Sequence, residues 1–276
     1  MGKLDKLREA FGSSKEEEVA PPPYPPPPPE YPDSKPPQDV PEYSIPRLGP
    51  DALAGTLMFP PRISCHHKML RTYIGVSKDN PLWTVTAPKL FGRPDSILHT
   101  TADKESPALA FFGPLKGSKY TKSVVKVPAR PGGDRAEDVE VAMTGDYANS
   151  HLFHIQVGHD GHTESFEWRN SGGKEVRDLG QCRIGKGYKL VRLTTTEQGR
   201  GGERTEREWG FTSEGEEIVA IGAHTSSWST GPNFAFMGTG LTGAFGETWE
   251  IVAVASWLRL VQLAQEQAAA AGAAAA

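Results

Sequence analysis

Cysteine is scarce in this sequence: only Cys65 and Cys182 occur among 276 residues. A small secreted domain held by disulfides needs more cysteines at closer spacing, so we expect a protein of a reducing compartment. The chain has no apolar run near the roughly 20 residues of a membrane-spanning helix, and its N-terminus has no signal-peptide core. We therefore expect a soluble cytoplasmic protein, with contact to a membrane surface as the alternative.

Excess positive charge is also lacking, because the formal net charge is −4. Nucleic-acid-binding proteins usually present a net basic field, so nucleic acid is not an expected partner. The sequence has no G-x-S-x-G elbow and no P-loop lysine, and no set of acid, base and nucleophile is recognisable. We expect a non-enzymatic protein without a cofactor or a metal site; the oligomeric state stays open.

Proline is abundant, but it is concentrated at the N-terminus: 14 of the 24 prolines lie in the first 50 residues. Such a segment buries too little apolar surface to offset the entropy of ordering, and its proline runs favour polyproline II. Residues 1–62 are therefore predicted to form a disordered tail. Residues 1–12 have apolar side chains near helical spacing, which predicts a short amphipathic helix that folds only against a partner or a membrane.

The proline-rich tail contains two matches to the PPxY ligand of WW domains. The residues that define them are Pro21, Pro22 and Tyr24 in the first copy, and Pro28, Pro29 and Tyr31 in the second. Polyproline II is already extended, so it enters an aromatic groove at little entropic cost while the tyrosine fills a neighbouring pocket. Two copies seven residues apart favour capture by tandem WW domains, such as those of HECT-type ubiquitin ligases.

The body of the chain has the composition of an all-β domain. From Cys65 onward, short segments rich in β-branched and aromatic residues alternate with Gly, Pro, Asp and Asn clusters, which predicts antiparallel strands. Alternation is clear where Phe153, Ile155 and Val157 share one face. The predicted strands are 66–76, 82–87, 96–101, 108–112, 120–127, 139–144, 151–157, 163–169, 188–195, 204–211, 217–223 and 234–237.

The last predicted element is a helix that is apolar on nearly every side. Eleven of the fifteen residues from 249 to 263 are apolar, and only Ser256, Arg259 and Gln262 form a weak polar strip. Such a helix must be surrounded, and it is too short and too charged for a bilayer, so we expect a sheet to close around it. In an alternative reading, residues 249–255 are a last strand and the helix begins near Ser256.

Three segments of the body carry a family resemblance: Phe166-Glu167-Trp168, the run from Gly187 to Arg192, and Glu247-Thr248-Trp249-Glu250. Through them the body resembles the tubby C-terminal-like superfamily, which includes tubby-like proteins, phospholipid scramblases and plant LURP-one-related proteins. The resemblance covers residues 65–267. It implies a mainly β fold, a closed antiparallel barrel of about 12 strands around a hydrophobic C-terminal helix, in a domain spanning 63–267 before an Ala-rich tail at 268–276.

The resemblance also implies function at membranes or as an interaction module, because tubby proteins hold phosphoinositides with basic side chains on the barrel surface. A stretch without acidic residues carries candidates for such contacts: Lys116, Lys119, Lys122, Lys126 and Arg130. Lys122 and Lys126 are predicted to share a strand face, and each lysine near an anionic membrane contributes about 1 kcal/mol. Binding of anionic phospholipids is therefore the alternative to WW recruitment. A second such stretch contains Arg183, Lys186, Lys189 and Arg192.

Three further motifs suggest chemistry but lack its context. Four histidines lie between His151 and His162, yet His151 and His154 are three apart on a strand and must face opposite sides. Cys65-His66-His67 fails as a catalytic dyad because adjacent strand residues diverge. The run from Gly238 to Gly243 spells G-x-G-x-x-G, but the strand that should follow the helix in a dinucleotide-binding unit is missing.

Overall fold

The structure is a computed structural model, and it describes residues 57–68, 71–87, 95–118, 121–129, 136–144, 150–158, 161–181, 186–196, 210–224 and 231–274. These residues form twelve strands and two α-helices. The strands β1 to β12 are Arg62–Lys68, Arg71–Ser77, Asn80–Thr86, Ser96–His99, Ala108–Pro114, Lys122–Val127, Glu137–Thr144, Ser150–Val157, His162–Ser171, Gly187–Thr196, Glu216–Ala223 and Asn233–Phe236. The helices are α1, Lys174–Gly180, and α2, Glu247–Ala274.

The twelve strands form a closed antiparallel barrel in which each strand pairs with the strands before and after it in the chain. β1 and β12 close the ring, with Ile63 opposite Phe234 and Ser64 opposite Asn233. The alternation predicted for residues 151–157 is present in β8, where Phe153, Ile155 and Val157 face the core. The predicted fold class, a closed barrel of about 12 strands around a C-terminal helix, is confirmed.

Helix α2 fills the barrel. At about 1.5 Å of rise per residue its 28 residues span roughly 42 Å, and the buried part extends from Thr248 to Leu263. Its aromatic side chains pack against the inner face of the wall: the ring centroids of Trp249 and Phe166 are 5.5 Å apart, and those of Trp257 and Phe234 are 5.2 Å apart. The apolar surround that the sequence requires of this helix is therefore the inside of the sheet.

The weak polar strip of α2 makes specific contacts with the barrel wall. The indole Nε1 of Trp168 donates to Ser256 Oγ at 2.9 Å, Arg259 Nε donates to Ser123 Oγ at 3.2 Å, and Gln262 Nε2 donates to Ser96 Oγ at 2.8 Å. An unpaired polar group in this interior would cost about 1–3 kcal/mol, so these pairs disfavour other rotations of the helix about its axis.

Helix α1 lies on the outer face of the barrel and was not predicted. Val176 and Leu179 pack on Ile218, Ile221 and side chains of β12, which together form a second apolar cluster outside the main core. With two buried apolar side chains in seven residues, α1 has too little sequence pattern to reveal a helix.

Two strand predictions differ from the structure. The segment 66–76 was predicted as one strand, but it divides between β1 and β2, which pair with Lys68 opposite Arg71. The connecting residues 69–70 are Met and Leu, so no Gly, Pro, Asn or Asp marks the turn. Of the predicted strand 204–211, only residues 210 and 211 are described, and Phe211 forms an isolated bridge with Glu217.

The alternative reading of residues 249–255 as a strand is wrong, because they lie in the first three turns of α2. Pairing of β12 with β1 leaves no barrel edge that another strand could join. The β-branched run therefore packs inside the ring as a helix. The helix continues through Ala274, beyond residue 267, where the predicted domain ended.

Candidate functional site

The six residues of the predicted PPxY motifs, Pro21, Pro22, Tyr24, Pro28, Pro29 and Tyr31, lie outside the described residues. So does the predicted amphipathic helix at residues 1–12. Their role as WW ligands stays a prediction from sequence.

Three of the predicted lipid-binding residues are described and lie on the outer surface, and two of them have acidic neighbours. Lys122 Nζ forms an ion pair with Glu140 Oε1 at 2.7 Å, and Lys126 lies directly across the β6–β7 pair from Asp138. Lys116 is exposed in the turn after β5, while Lys119 and Arg130 lie outside the described residues. The sequence of β6 alone shows only the lysines, whereas the acids of β7 share their face.

Two of the four residues of the second basic stretch, Lys189 and Arg192, form internal ion pairs. Lys189 is buried and its Nζ lies 3.3 Å from Glu175 Oε2 of α1. Arg192 Nε donates to Glu164 Oε2 at 2.5 Å, and its guanidinium lies 5.0 Å from the ring centroid of Phe245. Arg183 lies outside the described residues. This stretch therefore contributes less to a basic surface than its sequence suggests.

The G-x-G-x-x-G run forms a 3₁₀ helix, Gly238–Leu241, before α2. Its backbone is held by a carboxylate of the protein itself: Glu217 Oε1 accepts hydrogen bonds from Thr239 N at 2.6 Å and from Thr239 Oγ1 at 2.7 Å. A dinucleotide phosphate would need backbone N–H donors such as Thr239 N. The Glu217 carboxylate therefore accepts the hydrogen bond that a phosphate would otherwise accept.

The histidines separate as their spacing predicts. His151 points into the barrel and is buried, whereas His154 is exposed and its Nδ1 lies 2.7 Å from Ser165 Oγ. His162 Nε2 lies 2.7 Å from Glu164 Oε1. Among the described residues, no group of three His, Cys, Asp or Glu side chains is arranged to hold a metal ion.

Cys65 is a core residue. It is fully buried, and burial raises the pKa of its thiol well above the ordinary value. Only the thiolate is an effective nucleophile, so this cysteine is chemically inert in the folded protein.

A cavity of about 460 Å³ lies at the end of the barrel where α2 emerges. Leu260, Leu263 and Ala264 of the helix form an apolar wall. The facing wall is polar and comes from strands β8, β9 and β10 with the segment before β10; it is lined by His151, Asn170, Ser171, Gly172, Lys186, Gly187 and Tyr188, and Gln267 completes the lining. The volume lies within the range of about 300–1,000 Å³ that is usual for small-molecule sites.

His151 is the most constrained polar residue of this cavity. It is 8% exposed, and its buried Nδ1 has no hydrogen-bond partner. Burial lowers the pKa of its imidazole to about 4, against the opposing influence of the Glu167 carboxylate. The side chain is therefore neutral at physiological pH and can offer one donor and one acceptor nitrogen.

At the opposite end of α2, Glu250 holds the segment that leads into β1. It is 2% exposed, and its Oε2 accepts hydrogen bonds from Met58 N at 2.8 Å and Phe59 N at 3.3 Å. Burial raises the pKa of this carboxyl to about 7, although the two backbone donors act in the opposite direction. Glu250 thus fixes the entry of the chain into the barrel.

Sequence reasoning did not identify the cavity. Its lining comes from four separate segments, which only the closure of the barrel brings together. The one available signal was His151, because a histidine on the strand face of Phe153 and Ile155 must point inward.

The described residues thus define a closed antiparallel barrel with an internal C-terminal helix and a polar-walled cavity at one end. Comparison of the chain with known families, curated proteins and solved structures gives no match. No helix among the described residues combines the length and apolar character that a membrane crossing requires.

Proposed function

We propose that this chain is a non-enzymatic interaction protein with a tubby-like barrel, whose proline-rich tail recruits WW-domain proteins such as HECT-type ubiquitin ligases. The observation that carries the proposal is the internal position of α2, whose residues Ile251 to Ala255 are fully buried within the sheet. A barrel filled in this way has no central ligand space, so its contacts with partners fall to outer surfaces, to its ends and to the tail.

The architecture supports the assignment to the tubby C-terminal-like class. Twelve antiparallel strands in sequential order followed by a central helix are the arrangement that the resemblance implies. The quoted motifs take structural positions: Trp168 donates to Ser256 inside the barrel, and Trp249 packs on Phe166. These contacts give a packing reason for the aromatic residues of both motifs.

The test is a binding titration of the full chain with a purified tandem WW module from a HECT-type ligase. Tyr24→Ala combined with Tyr31→Ala should reduce affinity at least a hundredfold, since each tyrosine fills a pocket of its own. Tyr43→Ala is the matched control, because Tyr43 follows Val-Pro-Glu and lacks the first proline of the motif. Unchanged affinity in the double variant, or an equal loss in the control, would contradict the proposal.

Binding of anionic phospholipids is the weaker candidate. Glu140 compensates Lys122, and Asp138 lies opposite Lys126, so the outer face of β6 and β7 carries mixed charge. Liposome flotation tests this candidate by the fraction of protein recovered with the vesicles. If this face binds lipid, that fraction should depend on anionic lipid, decrease with salt and be lost in the double variant Lys122→Gln with Lys126→Gln. A recovered fraction that changes with neither anionic lipid, nor salt, nor the two substitutions would reject this function.

A further inference from the structure

The cavity at the emergence of α2 joins two chemically different walls. On one side lie Leu260 and Leu263 of the helix, and on the other lie His151 and Tyr188, which are buried residues of the inner barrel face. Lys186 stands at the exposed side, just before β10. The arrangement suits a ligand with an apolar body and a polar head.

The polar wall is rich in donors and contains no carboxylate. His151, Asn170, Lys186 and Tyr188 all carry N–H or O–H groups, and no aspartate or glutamate is among the lining residues. The buried and half-buried cations Arg169, Lys189, Arg192 and Arg259 are each matched by acids. In the described part of the chain, Lys186 has no ion pair. The ammonium of Lys186, together with the donors of His151 and Tyr188, favours an anionic head group.

His151 is a second feature of this cavity that core packing alone does not explain. Its Nδ1 is buried without a partner, which costs about 1–3 kcal/mol unless something else compensates it. Both neighbouring inward residues, Phe153 and Trp168, are apolar and pack in the core. A histidine at this point is unfavourable for packing alone, and its ring lines the cavity, where a ligand head group would meet it.

We propose that this cavity binds an amphipathic carboxylate, of the class of medium-chain fatty acids. The alkyl chain lies against Leu260 and Leu263, and the carboxylate accepts hydrogen bonds from the imidazole N–H of His151 and the hydroxyl of Tyr188 while it faces the ammonium of Lys186. At about 30 Å³ per water-sized group, 460 Å³ holds roughly fifteen non-hydrogen atoms, which is sufficient for decanoate.

The experiment is isothermal titration of the full chain with decanoate, 1-decanol and acetate. We expect saturable binding of decanoate with one site, at least tenfold weaker binding of 1-decanol, and no measurable binding of acetate. Lys186→Gln should weaken decanoate binding about tenfold and leave 1-decanol unchanged. Lys116→Gln, which changes an exposed lysine outside the cavity, is the matched control and should behave as the wild type.

A second variant tests the apolar wall. Ala264→Trp places a bulky side chain on the half-buried rim of the cavity and should abolish decanoate binding, with circular dichroism confirming the fold. If this variant unfolds, the wild type still tests the site by NMR. The resonances of the His151 ring nitrogens should shift on addition of decanoate, and the shift should saturate. Absence of decanoate binding, equal affinity for 1-decanol, or binding that ignores both substitutions overturns the proposal.

Discussion

Gly222 of β11 leaves the space that the indole of Trp257 occupies. A Cβ atom at position 222 would overlap Nε1 and Cδ1 of that indole. Trp257 is 1% exposed and its ring also packs on Phe234, so it has little room to move. The absence of a single side chain in the barrel wall therefore lets a large aromatic residue of the central helix approach the sheet.

Gly222→Ala should therefore destabilise the fold. Overpacking of a dense core costs about 1–3 kcal/mol, and a lower midpoint of urea unfolding will measure it. Gly272→Ala is the control: its site near the end of α2 has no neighbour within 4 Å of the added Cβ, so helix propensity should raise stability slightly. In a Trp257→Leu background the cost of Gly222→Ala should fall, and an unchanged cost would disprove the steric relationship.

Ser256→Ala should leave a buried indole donor without an acceptor. Since Trp168 Nε1 donates to Ser256 Oγ, we expect a loss of about 1–3 kcal/mol in the free energy of unfolding. Trp168→Phe removes the donor itself, so in that background the serine substitution should cost much less. A double-mutant cycle by urea unfolding measures this coupling, and strictly additive costs would contradict it.

His151 should make the protein sensitive to acid. Its pKa is about 4 in the folded state against an ordinary 6.5, so between these values the unfolded chain binds more protons than the native one. The contribution of His151 to stability therefore falls as the pH decreases from 6.5 to 4, by up to about 3 kcal/mol. His151→Leu should remove this contribution, which urea titrations will measure, whereas His154→Leu, at an exposed position, should not.

Glu250 should give a slope of the opposite sign. Its pKa is about 7 in the folded state against an ordinary 4.5, so the native state binds more protons between these values and the contribution of Glu250 to stability decreases as the pH rises. Glu250→Gln keeps an acceptor for Met58 N and Phe59 N and should abolish this decrease. Glu247→Gln removes a neighbouring negative charge that also raises the pKa of Glu250, so it should reduce this decrease without abolishing it.

The two slopes overlap between about pH 4.5 and 6.5, so in the wild type they should largely offset each other. Each single variant should then expose the slope of the remaining group: stability rising with pH in Glu250→Gln, and falling with pH in His151→Leu. Parallel pH profiles in the two variants would contradict both assignments.

The architecture could be predicted because its causes are local. Alternation along β8 and the all-round apolar character of α2 are properties of short segments, and together they require a sheet that encloses a helix. Even the polar strip of Ser256, Arg259 and Gln262 was visible. Its partners Trp168, Ser123 and Ser96 were not, because they lie on three different strands.

The candidate site could not be predicted, because its residues also come from separate strands. Lys122 and Lys126 look like a basic face in sequence, but strand pairing places Glu140 and Asp138 of β7 beside them. The cavity lining is likewise assembled from residues more than a hundred positions apart, such as His151 and Leu263. Register and closure decide such neighbours, and local patterns do not encode them.

Closure of the ring has a consequence for self-association. In an open sheet the outermost strands present unpaired N–H and C=O groups, which template edge-to-edge aggregation and allow peptides to join as an added strand. Here β1 and β12 satisfy one another through the pairs at Ile63 and Ser64. Growth into fibrils would first require the pairing of β1 with β12 to break, so closure of the barrel disfavours edge-to-edge aggregation.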